Sequence, residues 1–425
     1  MNEVPEKSEA APHQDAGVLA TLRVRPFAFY VLCNSIFMTG TWMQRLGVGW
    51  LTWQLTESET WLGLISACEF LPAILLGPFA GLLADRVKAL PVVLIGNATR
   101  LLQAILLTIV GFSGLASPEV LLALMVLAGI ASGTTHPSRL SLVSNLVPRH
   151  VLSTAVPIDS LGYNVARFLG PAIGGVILLH APLPTLFLIN VFCFVPLVGL
   201  LAWYLRRGLA SNQAPAQRSE RKSVWLDLKE GFLYVMREPR LAPVVALLAI
   251  SSIFIRPVVD MLPAFVDTIL KAGPSELATL VSAYGIGSMI AGLSVTLRHG
   301  RGSLELWHLA GAFLAIVATA LFVQSGQILY ATIFALLSGA GITVLSIAGQ
   351  TILQVSAQGA YRGRVMSLYS MVFLGGPAIG APLIGFLAER VGLPNAFEAG
   401  ITLNVVVWVF VVISWIRLTR RNRRG

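Results

Sequence analysis

The sequence predicts an all-α integral membrane protein with about twelve transmembrane helices in two pseudo-symmetric six-helix halves. Three observations lead there. The composition is 56% hydrophobic and only 12% charged, against roughly 25% charged in soluble proteins, and the mean hydropathy is +0.77. Apolar runs of about twenty residues repeat along nearly the whole chain, each long enough to cross a hydrocarbon core of about 30 Å as a helix that satisfies its own backbone groups. Finally, Pro171-Ala-Ile-Gly174 recurs as Pro377-Ala-Ile-Gly380 about 206 residues later, in the fifth run of each half.

The runs place spans at 26–52, 61–84, 90–114, 118–136, 157–180, 184–205, 241–269, 276–297, 304–323, 328–348, 365–389 and 395–418. Residues 1–22 form a polar, acidic, proline-containing tail, expected to be disordered and unlike a signal peptide. The N-terminal half covers 23–206, a linker 207–240, the C-terminal half 241–418 and a basic tail 419–425. Within the linker, Trp225, Leu228, Phe232 and Val235 share a face opposite charges, as an amphipathic helix at the membrane surface would arrange them.

The formal charge of +10 raises the question of a nucleic-acid partner, which the distribution of charge answers. Segments facing one side hold Arg23, Arg25, Arg86, Lys88, Arg206, Arg207, Arg298, Arg301, Arg417, Arg420 and more, whereas the other side has only Lys271 and Arg390. This is the positive-inside pattern: it places both termini in the cytoplasm and needs no nucleic acid. Cys33, Cys68 and Cys193 all fall in spans and make neither a disulfide framework nor a metal site. No nucleotide-binding loop, metal-ligand cluster or nucleophile elbow is present, so neither a cofactor nor an enzymatic activity is expected.

Charges inside the spans are the candidate functional residues, because each is costly there and marks a site by default. Arg45 lies about eight residues below Trp53 and Glu69 about eight below Trp61, so on antiparallel neighbours both sit roughly 12 Å deep and are placed to pair. Trp50, Trp53 and Trp61 read as an interfacial belt around the turn between these spans. Arg100 is a buried cation in the third span. Arg256 and Asp260, four residues apart, share a helical face and are placed to neutralise each other, with Pro257 and Pro263 bending the helix around them. Asp159, two residues after Pro157, reads as a carboxylate at a helix start, where the dipole favours it. In the fifth span Gly162, Ala166 and Gly170 recur every four residues, and Pro171, Gly174 and Gly175 extend the same bare face; this suits close helix approach with a kink at Pro171. Arg167 lies inside that run.

Two of these stretches resemble signatures of the major facilitator superfamily. Gly81-Leu-Leu-Ala-Asp85-Arg86, a cytoplasmic turn between spans two and three, is similar to its loop motif, which implies a cytoplasmic gate at Gly81, Asp85 and Arg86. Lys88, Ala89 and Leu90 stand where that motif has glycine and further basic residues, and Leu297 to Arg301, where the second copy belongs, lacks the aspartate. The Gly162–Gly175 run resembles the fifth-helix antiporter motif of the exporters, with Ala166 in place of the middle glycine. Gly385 to Arg390 echoes the loop motif by letter but belongs on the outer side, which makes it a coincidence. Wording in the first span, the linker and the seventh span looks like the enterobactin-exporter-like branch over roughly 23–417. The resemblance implies a major facilitator fold in the plasma membrane that moves a small molecule, either a siderophore-like anion or a drug-like amphiphile, outward by alternating access against protons; with no soluble assembly domain in the sequence, a monomer is expected. Arg45, Glu69, Arg100, Arg167, Arg256 and Asp260 are then the cavity or coupling residues. Handling of lysophospholipids or other membrane lipids is the rival transport reading, and a receptor or scaffold that moves nothing is the other.

Overall fold

The computed structural model describes residues 18–209, 224–297, 303–359 and 361–422, leaving out the side chains of 77–86, 136–137, 149, 153, 224–228, 296 and 418–422. The N-terminal half comprises α1 (Val18–Leu22), α2 (Arg25–Thr56), α3 (Glu59–Arg86), α4 (Ala89–Ser113), α5 (Pro118–Leu146), α6 (Leu152–His180) and α7 (Leu183–Arg206). After α8 (Val224–Arg237), the C-terminal half continues as α9 (Leu241–Phe254), α10 (Leu262–Thr268), α11 (Pro274–Leu297), α12 (Leu304–Val323), α13 (Ile328–Ser356), α14 (Arg362–Val391) and α15 (Leu393–Asn422).

Eleven of these helices, among the described residues, are long and apolar enough to cross a membrane. The twelfth expected span is α2, which has 32 residues but carries Asn34, Gln44 and Arg45 in its interior. Local chemistry sets the helix ends. Ser117 caps α5 by accepting from the Val120 N–H, Pro118 follows where no donor is needed, and Ser303 caps α12 through the Leu306 N–H. Gly114 closes α4 at a φ of 69°, in the left-handed region that glycine enters at little cost.

Several expected boundaries move. α5 runs on to Leu146 and α6 starts at Leu152, so the stretch left between the spans expected at 118–136 and 157–180 is mostly helix. α6 continues through Pro157 and Pro171 as one helix. Residues 18–22, within the stretch expected to be disordered, form the one-turn α1 with Thr21 buried. Gly81, Asp85 and Arg86 have helical backbones at the end of α3, where a turn was expected, and their side chains lie outside the described residues. So do residues 1–17, the 298–301 part of the second loop signature and the end of the basic tail. α8 is the expected linker helix: Val235 is buried against the C-terminal half, but Phe232 is half exposed and does not share that buried face. Tyr234 stacks on Tyr361 at 4.4 Å and Glu230 pairs with Arg364 at 2.9 Å, fixing α8 to the start of α14.

The repeat that marked two halves does the same work in each. Gly162, Gly170 and Gly174 lie directly against Ser35, Thr39, Met43 and Leu46 of α2, with Ala166 buried between them. In the other half Gly376 and Gly380 lie against the backbone of Ser252 and Ile253 in α9. Thus the fifth span of each half packs on the first through a face without side chains, the arrangement that lets helix backbones approach in lipid. Apolar cores fill each half. The C-terminal one reaches across to Leu46, Trp50, Trp53 and Leu62, so Trp50 and Trp53, at 7% and 4% exposure, belong to the seal between halves and not to a lipid-facing belt. Cross-half packing recurs where Gly63 meets Ala381 and Pro382, Gly385 meets Glu59, and Gly175 meets Ala278.

Gly380→Ala puts a methyl into the Ile253 carbonyl, whereas Gly199 of α7 faces open space. The expected outcome is a loss of about 1–3 kcal/mol for Gly380→Ala and almost none for Gly199→Ala, checked by melting temperature in detergent.

Candidate functional site

The seventh span is discontinuous, and the break builds the site. Pro257 has no N–H to bond the Ile253 carbonyl and its ring crowds that group, so α9 stops at Phe254. A 3-10 segment, Arg256–Val259, follows before α10 begins with Pro263 in its first turn. In a 3-10 turn of three residues, positions four apart no longer share a face. Arg256 and Asp260 therefore separate, contrary to the pairing expected from the sequence. Arg256 donates Nη1 to the Phe373 carbonyl of α14 and lies over the Phe373 ring at 4.0 Å. Asp260 turns instead toward the other half.

Its partner is Arg45 of α2. Nη2 of Arg45 donates to Asp260 Oδ1 at 2.7 Å, and Nη1 lies 3.5 Å from Glu69 Oε2 of α3. The pairing of Arg45 with Glu69 follows from their matched depth; the second carboxylate, from the opposite half, does not. Side-chain exposure is 24% for Arg45, 15% for Glu69 and 5% for Asp260. The guanidinium is further held by the rings of Trp42 and Phe70, at 5.4 and 5.0 Å. These three charges line a cavity of about 60 Å³ between the halves, together with Trp42, Ser66, Met125, Val259, Pro263 and Val281 among others. That is room for a few waters.

Arg167 of α6 lies beside this cavity, 5.3 Å from the rings of both Trp42 and Tyr284, and has no ion-pair partner among the described residues. Arg256 is close enough to feel the charges of Arg167 and Arg45. Arg100 is not part of the group. Buried at 8% exposure, it donates to Ser132 Oγ at 2.8 Å and lies over Phe37 and Phe194 inside the N-terminal half, with only the field of Glu69 linking it to the cavity. Around the cavity, three arginines (Arg45, Arg167, Arg256) face two carboxylates (Glu69, Asp260) and leave one positive charge in excess.

Other polar groups have partners that the sequence did not name. Asp159 sits two turns inside α6, not at its start, so the helix dipole does not account for it. Its carboxylate takes Asn34 Nδ2 at 2.9 Å and lies 3.4 Å from Arg139, a clamp across α2, α5 and α6. Gln44, Gln103 and Asn190 form a fully buried chain, Asn190 to Gln44 at 2.6 Å and Gln44 to Gln103 at 3.2 Å. A second link between halves joins Trp53 Nε1 to Asp267 Oδ2 at 3.0 Å. A third brings Ser58 Oγ and the Thr60 N–H to Glu389, at the end of the molecule opposite Gly81–Arg86, so the echo at 385–390 has a different setting. The available signal was a polar residue inside an apolar run, which marks that a partner exists without naming it.

A family model described as transmembrane secretion effector matches residues 16–423, nearly the whole chain. The chain belongs to this family of major facilitator transporters. It is 24% identical to the staphyloferrin A transporter of Staphylococcus aureus over 392 residues, 91% of this chain and 96% of that one. To the uncharacterized MFS-type transporter YfiS of Bacillus subtilis it is 26% identical over 387 residues, 90% of this chain and 91% of that one. The fold matches a solved mutant of the peptide transporter POT with a TM-score of 0.75 at 14% identity, over 95% and 96% of the two chains. It also matches a bacterial homolog of the human lysosomal transporter Spinster, with a TM-score of 0.64 at 16% identity, over 92% and 95%. The protein is thus a multi-pass membrane transporter of small molecules and not an enzyme.

Removing one member of a buried ion cluster strands the others. Arg45→Ala should cost about 3–5 kcal/mol, read as a lowered melting temperature. Neutralising all three together, Arg45→Gln with Glu69→Gln and Asp260→Asn, should recover most of the loss.

Proposed function

We propose that the protein is a secondary exporter that carries a small organic anion outward across the plasma membrane by alternating access, in exchange for protons. The observation that carries this reading is one guanidinium, Arg45, held at once by Glu69 of the N-terminal half and Asp260 of the C-terminal half. A proton taken by either carboxylate weakens its hold on Arg45 and so loosens the contact between the halves, which lets the emptied, protonated carrier return to the cytoplasmic side while the proton moves inward. Protonation and the contact between halves are thereby linked in one cluster. The bare α6 face on α2, repeated by α14 on α9, supplies rigid pairs that can rock against each other about the site, as inverted-repeat transporters do. The excess positive charge favours an anionic cargo. The relative in Staphylococcus aureus named as a staphyloferrin A transporter supports a siderophore-like cargo. The basic excess on the segments that include both termini supports a cytoplasmic location for them.

In proteoliposomes with an imposed pH gradient, uptake of an anionic siderophore should follow the gradient in the wild type. It should lose that dependence in Glu69→Gln or Asp260→Asn, each of which fixes one carboxylate in a neutral form. Movement indifferent to the gradient and to both variants would make the protein a facilitator or a lipid mover. Arg167→Ala should cut transport at least tenfold, measured as initial rate, and unchanged transport in Arg167→Ala and Arg167→Lys would remove Arg167 from the substrate path.

A further inference from the structure

Beside the cavity, hydrogen-bond donors outnumber acceptors. Trp42 Nε1 and Ser66 Oγ are buried without a hydrogen-bond partner, and the buried Tyr284 Oη has no acceptor for its proton. Trp42 and Ser66 line the cavity, and Tyr284, at 2% exposure, stands one turn beyond its lining residue Val281 on α11. The charged groups around the Tyr284 hydroxyl are Arg167 and Arg256, both donors, and Asp260, whose carboxylate is bonded to Arg45, so the tyrosine proton has no free acceptor. Arg167 brings further N–H groups with no acid to receive them. The acceptors that this region does own, Glu69 and Asp260, are committed to Arg45. Buried donors left in this state are costly and rare, and here they converge on one place between the halves. What they lack is an oxygen-rich, negatively charged ligand.

The rings of the site narrow the class further. The Trp42 ring has Arg45 at 5.4 Å and Arg167 at 5.3 Å, the Tyr284 ring has Arg167 at 5.3 Å, and the Phe373 ring has Arg256 at 4.0 Å with Tyr369 stacked at 5.7 Å. Aromatic faces that would otherwise stack an aromatic ligand are covered by guanidinium groups. A ligand arriving here meets N–H edges and hydroxyls, the geometry that takes carboxylates in forked pairs of hydrogen bonds, and finds no uncovered ring among these to lie against. A cationic amphiphile would meet the surplus positive charge.

We infer that the site between the halves selects an aliphatic polycarboxylate, one carboxylate reaching Trp42 Nε1 and Ser66 Oγ in the cavity and another held by Arg167 and Tyr284 Oη. This class deepens the anion-exporter reading and rests on it. It excludes both the aromatic anions and the drug-like amphiphiles which that reading alone admits.

Equilibrium binding tests the substrate class without involving protons or direction, so its failure is separate from failure of the gradient-driven transport. The probes are radiolabelled citrate on purified protein in nanodiscs, with tricarballylate, 2,3-dihydroxybenzoate and tetraphenylphosphonium as competitors. Saturable citrate binding displaced by tricarballylate, and not by the aromatic anion or the cation, is expected. Trp42→Phe and Tyr284→Phe keep a ring and remove a donor, and each should weaken citrate binding about ten- to a hundredfold, the range for a hydrogen bond to a charged group. Ser66→Ala carries the same direction of change and serves where an aromatic variant lowers the melting temperature. Absent citrate binding, equal affinity across the variants, or displacement by 2,3-dihydroxybenzoate or tetraphenylphosphonium at the concentrations that suit tricarballylate would overturn the assignment.

Discussion

One arginine shared between two carboxylates is the constraint on which the rest of this molecule depends. Arg45 cannot lie bare in a membrane span at acceptable cost, and its two partners come from opposite halves, Glu69 on α3 and Asp260 after the break in the seventh span. The halves consequently share a charge as well as a surface. Any motion that separates α2 from the α9–α10 break must leave Arg45 with Glu69 alone or replace Asp260 by something else negative. The break itself follows from sequence, since Pro257 ends α9 and swings Asp260 off the face of Arg256. Had the span been one regular helix, Arg256 and Asp260 would have neutralised each other within the C-terminal half and the cross-half link would not exist.

Around that link, packing is made from what is missing. Gly170 of α6 against α2, and Gly376 and Gly380 of α14 against α9, bring backbones together so closely that a methyl group has no room. Such a surface holds α2 with α6, and α9 with α14, as stiff pairs. Gly63, Gly175 and Gly385 make similarly close contacts between the halves. Polar links accompany them from mid-depth to the Ser58 end: Arg45 to Asp260, Trp53 to Asp267, Ser58 and Thr60 to Glu389. The halves are therefore both packed and bonded together across this stretch, while Arg167 and Tyr284 lie on the side of the cavity toward the start of α2.

The sequence disclosed what depends on composition, depth and repetition. Membrane class, span positions, the two halves and the bare face of α6 all follow from patterns that survive without knowing which helices touch. Arg45 with Glu69 was legible because consecutive spans joined by a short turn must be neighbours, and depth along each is a matter of counting. Asp260 was misassigned because helical periodicity was applied across Pro257, where the backbone changes period. Asp159 was misplaced because Pro157 suggested a helix start, although α6 tolerates that proline a turn after it has begun at Leu152. The links to Asp267 and Glu389 join residues more than 200 positions apart, and nothing local in either segment names the other.

The charge pattern unites these pieces. A span that carries Asn34, Gln44 and Arg45 is the least apolar of the twelve, yet each of these three side chains meets a specific partner: Asp159, then Gln103 with Asn190, then Glu69 with Asp260. The first two sets lie within the N-terminal half and tie α2 to α4, α6 and α7, so α2 is held firmly on its own side. Only the third reaches across. A helix anchored on its own side by neutral and paired groups is joined to the other side by the Trp53–Asp267 hydrogen bond and by the ion pair of Asp260 with Arg45, one guanidinium shared by an acid from each half. There, a proton or another anion can compete with an existing bond.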